Sequence, residues 1–137
     1  MALVKTDSSF TNIIQQLIDK EQGGPFNTYM DLFCACAALG IKDNIKREVT
    51  TAGIEVQDRV WKNNHTLEKK IFLTALYDQK KAEILKDEDE CYKIFETYVN
   101  GGLTVLEEIF SRHLDTEGAV DELMAKAAHM ALENTSD

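Results

Sequence analysis

Apolar residues recur at three- and four-residue intervals along most of this chain, the period that gathers them on one side of an α-helix. In "SSFTNIIQQLIDKEQGG", Phe10, Ile13, Ile14, Leu17 and Ile18 share such a face. Ser8 or Ser9 can cap its start and Gly23 can end it, which predicts a helix of about 14 residues. The next stretch, "PFNTYMDLFCACAALG", spaces Thr28 and Asp31 like a capping box and sets Gly40 where a helix stop is expected. Between them the run Leu32 to Leu39 is apolar all round, so residues 28–39 are expected to be buried on most sides as the central helix of the fold.

Three more segments keep the helical period: Leu67, Ile71, Ala75 and Leu76 after Thr66; Tyr92, Phe95 and Val99 after the acidic "DEDE"; Leu106, Ile109, Phe110 and Leu114 after a pair of glycines. A last helix, "TEGAVDELMAKAAHMALE", sets Val120, Leu123, Met124, Ala127 and Ala131 on one face. Glu117 and Asp121 near its start, like the acid run at 87–90 before its own helix, suit the positive end of a helix dipole. Residues 41–65 break the rhythm. The β-branched residues around Gly53 in "REVTTAGIEV" allow a short extended piece near 48–56, before a helical turn through Val56, Val60 and Trp61. The expectation is an all-α fold, one helical domain over residues 1–137, built as a compact bundle of about six helices around residues 28–39.

The stretch "YVNGGL" at 98–103 carries a hairpin signal in Asn-Gly, yet neither flank alternates with period two. Helical spacing on both sides predicts a helix–helix corner instead. Asn100 or Gly101 would take the left-handed conformation that ends one helix, Gly102 would allow a tight reversal, and Thr104 with Glu107 would cap the next.

A chain of 137 residues is long enough to bury a core without a metal or disulfide staple, and one Pro and seven Gly argue against disorder and against a turn-rich β protein. The start, "MALVKTDSSF", lacks the apolar stretch of a signal peptide, and no window reaches the roughly 18 apolar residues of a membrane span, so a cytoplasmic location without membrane contact is expected. Of three cysteines, Cys34 and Cys36 diverge at helical spacing, so reduced, buried thiols are expected.

Charge changes the picture more than composition does. Residues 1–81 hold 11 Lys or Arg against 10 Asp or Glu, whereas residues 82–137 hold 4 against 14, a net of −10. An acidic face of that size repels DNA and favours a basic protein surface, though a merely solvated face accounts for it too. In the middle, residues 42–81 net +3 and interleave Trp61 with cations. Lys46, Arg47, Arg59, Lys62, Lys69 and Lys70 are the candidate nucleic-acid contacts there.

Signatures of catalysis are missing. The chain has no phosphate-binding G-x-x-x-x-G-K-[ST], no G-x-G-x-x-G, no G-x-S-x-G and no H-E-x-x-H. His129 and Glu133 share a helix face, but two ligands do not make a metal site. Cys91 lacks a base motif that would activate it. No cofactor, no metal and no catalytic residue is therefore expected. An interaction module is an alternative class, in which the polarity between a mildly basic middle and an acidic C-terminal part would steer docking on a larger partner or head-to-tail self-association.

Two stretches together carry a resemblance. "NTYMDLFCACAALGIK", followed by "YKIFETYVNGGL", resembles the small Dnd system-associated proteins found beside bacterial DNA-phosphorothioation and restriction genes. In that family an alanine-rich F-A-A-x-L-G helix precedes an F-x-x-Y-x-N-G-G-L stretch, and the likeness covers about Phe26 to Leu114. Here Cys34 and Cys36 replace part of the alanine pattern, and Val99 stands where Ala is usual. The resemblance implies a bacterial, cytoplasmic accessory of a defence or DNA-modification locus, with no established reaction and no catalytic residue to carry over. The resulting expectation is a non-enzymatic adaptor working through contacts with larger proteins of such a complex, with self-association also open. A DNA-binding regulator using residues 42–81 is the alternative, and a small hydrolase or nuclease comes third.

Overall fold

The computed structural model describes residues 2–113 and 116–135. Among them the order is strand β1 (Leu3–Asp7), helix α1 (Thr11–Ile18), α2 (Tyr29–Asp43), strand β2 (Ala52–Gln57), then α3 (Asp58–Lys62), α4 (His65–Gln79), α5 (Glu88–Ser111) and α6 (Thr116–Thr135). The fold is thus broadly helical but not purely all-α: β1 and β2 form a two-stranded antiparallel sheet. The extended piece expected near 48–56 is β2, and its partner β1 comes from the N-terminal stretch that carried no prediction.

Local chemistry accounts for the helix ends. Thr28 Oγ1 accepts the Asp31 N–H at 3.1 Å, Asn64 Oδ1 that of Leu67 at 3.2 Å, and Asp87 Oδ1 that of Glu90 at 3.1 Å, each satisfying a donor the first turn leaves open. The acid run therefore starts α5, as its dipole favours. The first helix is shorter than its apolar stripe: Asp7 caps a 3₁₀ turn at Ser8–Phe10, α1 follows, and a second such turn ends at Gly23 with φ +81°. Gly40 does not stop α2; the helix runs on to Asp43 and ends at the left-handed Asn44, φ +54°.

No corner exists at residues 98–103. α5 passes through Asn100, Gly101 and Gly102 without a break, and neither glycine has a positive φ. Thr104 caps nothing: its hydroxyl donates back to the Asn100 carbonyl at 3.0 Å, one turn earlier. The glycines are needed because another backbone lies against them. A Cβ on Gly101 would strike the carbonyl of Ile45, with the Ile45 carbon only 2.6 Å away, and one on Gly102 would strike the Cys36 carbonyl, with Cys36 Cα at 2.8 Å. Gly40 meets the Tyr98 carbonyl in the same crossing. Small residues on α2 and α5 let the two helices approach closely, and α5, buried along most of its 24 residues, shares the centre of the fold with α2.

The polar residues on the same helix hold the sheet. Asn100 is fully buried; its amide donates to the Lys5 carbonyl at 3.0 Å and its oxygen accepts the Asp7 N–H at 2.8 Å. Glu96 Oε1 accepts the Lys5 N–H at 2.8 Å. One edge of β1 is thereby closed by side chains of α5, and β2 closes the other. Asp7 extends the knot, its carboxylate accepting from the Thr50 N–H at 2.8 Å and the Ser9 N–H at 3.1 Å. The core beneath joins Val4, Phe10, Leu17, Phe33, Trp61, Ile71 and Phe95, with Trp61 edge-on to Phe95 at 5.5 Å between ring centroids. At the far end Ala119 of α6 meets Val105 and Ile109 of α5, and Leu123 joins the main core; Ala127 and Ala131 of the expected α6 stripe, and Leu114 of the stripe before it, lie outside the described residues and side chains.

Candidate functional site

Three of the six candidate cations, Lys46, Arg47 and Lys62, are engaged by contacts within the chain. Lys46 pairs with Asp78 at 2.6 Å and lies 5.4 Å from the Tyr98 ring centroid. Asp78 also accepts the Tyr98 hydroxyl at 2.7 Å, so the three groups tie the end of α4 and the 45–50 segment to α5. Burial works to raise the Asp78 pKa, but the hydrogen bonds from Lys46, Tyr98 and Gln79 together outweigh it and hold the carboxyl below its ordinary value. Tyr98 is pushed up by burial and then by Asp78, so its hydroxyl is a donor and not a base.

Arg47 is half-buried, its guanidinium 4.6 Å over the Phe10 ring, and its N–H donates to the Thr97 carbonyl at 3.0 Å. Lys62 on α3 bridges Glu88 at 2.9 Å and Asp58 at 3.6 Å. Arg59, Lys69 and Lys70 are exposed, and none has a carboxylate partner among the described residues. Lys46 and Arg47 line a cleft of about 380 Å³ with Lys93, but Glu48, Asp78 and Glu90 line it too. The signs balance there, unlike the excess of cations a phosphate backbone attracts. Trp61 is fully buried and offers no face to a base.

The thiols are positioned as packing groups. Cys34, Cys36 and Cys91 are all free and buried. Burial pushes the Cys34 thiol up to about 11 and raises Cys36 and Cys91 as well, and the Cys91 S–H donates to the Ile84 carbonyl at 3.1 Å. His65 sits 3.8 Å from Glu68, and His113 with Arg112 holds Glu122, whose pKa the Arg112 and His113 hydrogen bonds lower. The side chains of His129 and Glu133 lie outside the described ones. Among the described residues no group of His, Cys, Asp and Glu is arranged to hold a metal.

What periodicity did not single out is an apolar face across α2, α4 and α6. Leu73 and Tyr77, one turn apart on α4, are 63% and 54% exposed and flank a groove of about 290 Å³ floored by Ala37, Ala38 and Ile41. Lys70 stands on its rim. A second hollow of about 260 Å³, between Ala35, Ala38 and Leu39 of α2 and Leu123 and Met124 of α6, shares Ala38 with the first. Met124 is 59% exposed. Large apolar side chains left in water over two hollows that share a lining residue are characteristic of an interaction surface.

Comparison with known protein families settles the resemblance. The model of DNA sulphur modification system-associated protein 4 matches residues 4–137. The chain belongs to that Dnd-associated family. Comparisons with curated proteins and with solved structures gave no match. Membership makes it a protein associated with a DNA sulphur modification system, consistent with an accessory role. The match extends beyond the Phe26–Leu114 stretch that carried the resemblance, taking in β1, which the Asn100 and Glu96 side chains bind. No helix among the described residues is long and apolar enough to cross a membrane.

Proposed function

We propose that the protein is a non-enzymatic adaptor of a bacterial DNA sulphur modification system, working in the cytoplasm and docking on a larger protein of that system. The carrying observation is the exposed apolar face formed by Leu73, Tyr77, Ala38 and Met124 on a protein otherwise well supplied with charge. Buried thiols held protonated, a tyrosine held as a donor and carboxylates engaged in structural bonds support binding in preference to catalysis. The test is affinity capture of the tagged chain from its host with the modification genes present. Wild type retains a modification-system protein, and a Leu73→Glu/Tyr77→Glu variant of equal melting temperature loses it; equal retention by both would refute docking through this face.

A second reading, direct contact with DNA, is favoured by one observation: Arg59, Lys69 and Lys70 are exposed without carboxylate partners among the described residues. Their removal would then reduce the salt dependence of DNA binding, and a chain that binds no DNA in low salt disposes of that reading.

A further inference from the structure

The two-stranded sheet has four edges of main-chain groups, and three are accounted for. β1 and β2 satisfy each other inside, and Glu96 and Asn100 of α5 satisfy the outer edge of β1 at Lys5 and Asp7. The outer edge of β2 remains. Lys5 stands opposite Glu55. Because Lys5 turns both its N–H and its carbonyl to α5, the pair is the non-hydrogen-bonded kind, and Glu55 turns its own N–H and carbonyl outwards, away from β1. Ile54, next along, bonds inwards to Thr6 Oγ1 at 3.2 Å, which sets the same alternation. Among the described residues nothing bonds the Glu55 main chain.

Beside that open edge lies an apolar hollow of about 330 Å³, lined by Ile18, Tyr29, Met30, Val56 and Val60. Val56 points to the core and Glu55 to solvent, as strand alternation requires. A strand added along β2 would place one residue beside Glu55 on the wet face and its two neighbours on the apolar face, over the hollow. Main-chain bonds would then supply affinity and the hollow would select the side chain.

We propose that the outer edge of β2 is a docking site for an extended strand of a protein partner, one that sets Lys or Arg beside Glu55 and an apolar residue into the Val56–Val60 hollow. Charge chooses the occupant. β1 already places a cation, Lys5, across from Glu55, and a partner strand repeats that pairing on the other side. A second copy fits badly, because antiparallel pairing of β2 with itself about Glu55 sets two carboxylates opposite each other on chains of net charge −9. The site shares no lining residue with the α2–α4 groove and does not depend on the adaptor reading.

The experiment uses the full chain and a short blocked peptide in which valine and lysine alternate, with its proline-interrupted and valine–glutamate counterparts as controls. Amide hydrogen exchange should slow at Glu55 when the valine–lysine peptide binds, and not with either control. Glu55→Pro removes the outward N–H together with the carboxylate, a substitution an edge strand tolerates, and should weaken binding at least about tenfold. Should that variant not fold, Glu55→Lys decides alone: its preference must switch to the valine–glutamate peptide. The proposal is overturned by protection on the α2–α4 face instead, by no protection at all, by a folded Glu55→Pro variant of undiminished affinity, or by an unswitched Glu55→Lys. Protection of Glu55 that grows with protein concentration in the absence of peptide would make the occupant a second copy and overturn it equally.

Discussion

Asn100 and Asp7, 93 positions apart, are joined by a 2.8 Å hydrogen bond from the Asp7 backbone to the Asn100 side chain inside the core. That bond, with the one from Asn100 to the Lys5 carbonyl, makes a mid-helix asparagine the point where the N-terminal strand is held. Asn100→Ala leaves the Asp7 N–H and Lys5 carbonyl without their partner. Each orphaned buried group costs about 1–3 kcal/mol, so the variant should lose about 2–6 kcal/mol in urea unfolding. Hydrogen exchange at Asp7 should quicken before that of α5 itself; a loss below about 0.5 kcal/mol would mean that water replaces the side chain.

Gly101→Ala and Gly102→Ala test why the glycines are there. In an exposed helix either change would stabilise by roughly 1 kcal/mol through helix propensity. Here the new Cβ meets the Ile45 or the Cys36 carbonyl, main chain that cannot rotate away. Both variants should lose about 2 kcal/mol or more, since overpacking costs typically 1–3 kcal/mol even against side chains. An alanine scan by thermal unfolding would give the sign directly.

The helices were legible because their period is local: each stripe of Ile13 to Leu17, Leu67 to Ala75 or Tyr92 to Val99 repeats within one element. β1 was not, because five residues hold too few alternations to read and their partners, β2 and α5, are distant in the chain. "YVNGGL" misled for the same reason. Its glycines answer to the backbones of Cys36 on α2 and of Ile45 just beyond it and not to a turn, and its asparagine to β1. A polar residue set among Tyr98, Val99 and Leu103 was the one local sign that Asn100 faces a buried acceptor and donor. The exposed face had a sign as well: Leu73 and Tyr77 are one turn apart but off the Leu67, Ile71 and Ala75 stripe, a second apolar side that the helix does not bury.

Asp7 and Glu96, both bound to the N-terminal knot, should respond to pH in opposite directions. Hydrogen bonds from the Thr50 and Ser9 backbones hold Asp7 at about 2, below its ordinary 3.8. A depressed folded pKa contributes stability that is present above pH 3.8 and lost as pH falls towards 2. Asp7→Asn should flatten the stability curve across that window. Burial raises Glu96 above its ordinary 4.5, outweighing the Lys5 N–H that lowers it, so its contribution is full below 4.5 and fades as pH rises through the folded value. Glu96→Gln retains an oxygen for the Lys5 N–H and should be at least as stable as wild type at pH 7. Urea titrations from pH 2 to 7 on the three proteins would separate the two effects, and a Glu96→Gln variant weaker at pH 7 than at pH 4, relative to wild type, would reverse the assignment.

The Lys46–Asp78–Tyr98 tie decides whether the mixed-charge cleft is scaffold or site. Asp78 is nearly enclosed, with a side chain 8% exposed, and receives both the Tyr98 hydroxyl and the Lys46 ammonium. Asp78→Ala strands a buried tyrosine hydroxyl and frees a lysine, and should cost about 1–3 kcal/mol, most of it from the hydroxyl. Lys46→Met removes only the half-exposed partner and should cost about 1 kcal/mol or less, because water can replace an exposed cation. In a scaffold both variants retain the modification-system protein in affinity capture once folded. Loss of that partner by Lys46→Met at unchanged melting temperature would instead move the docking surface from the Leu73–Tyr77 face to this cleft.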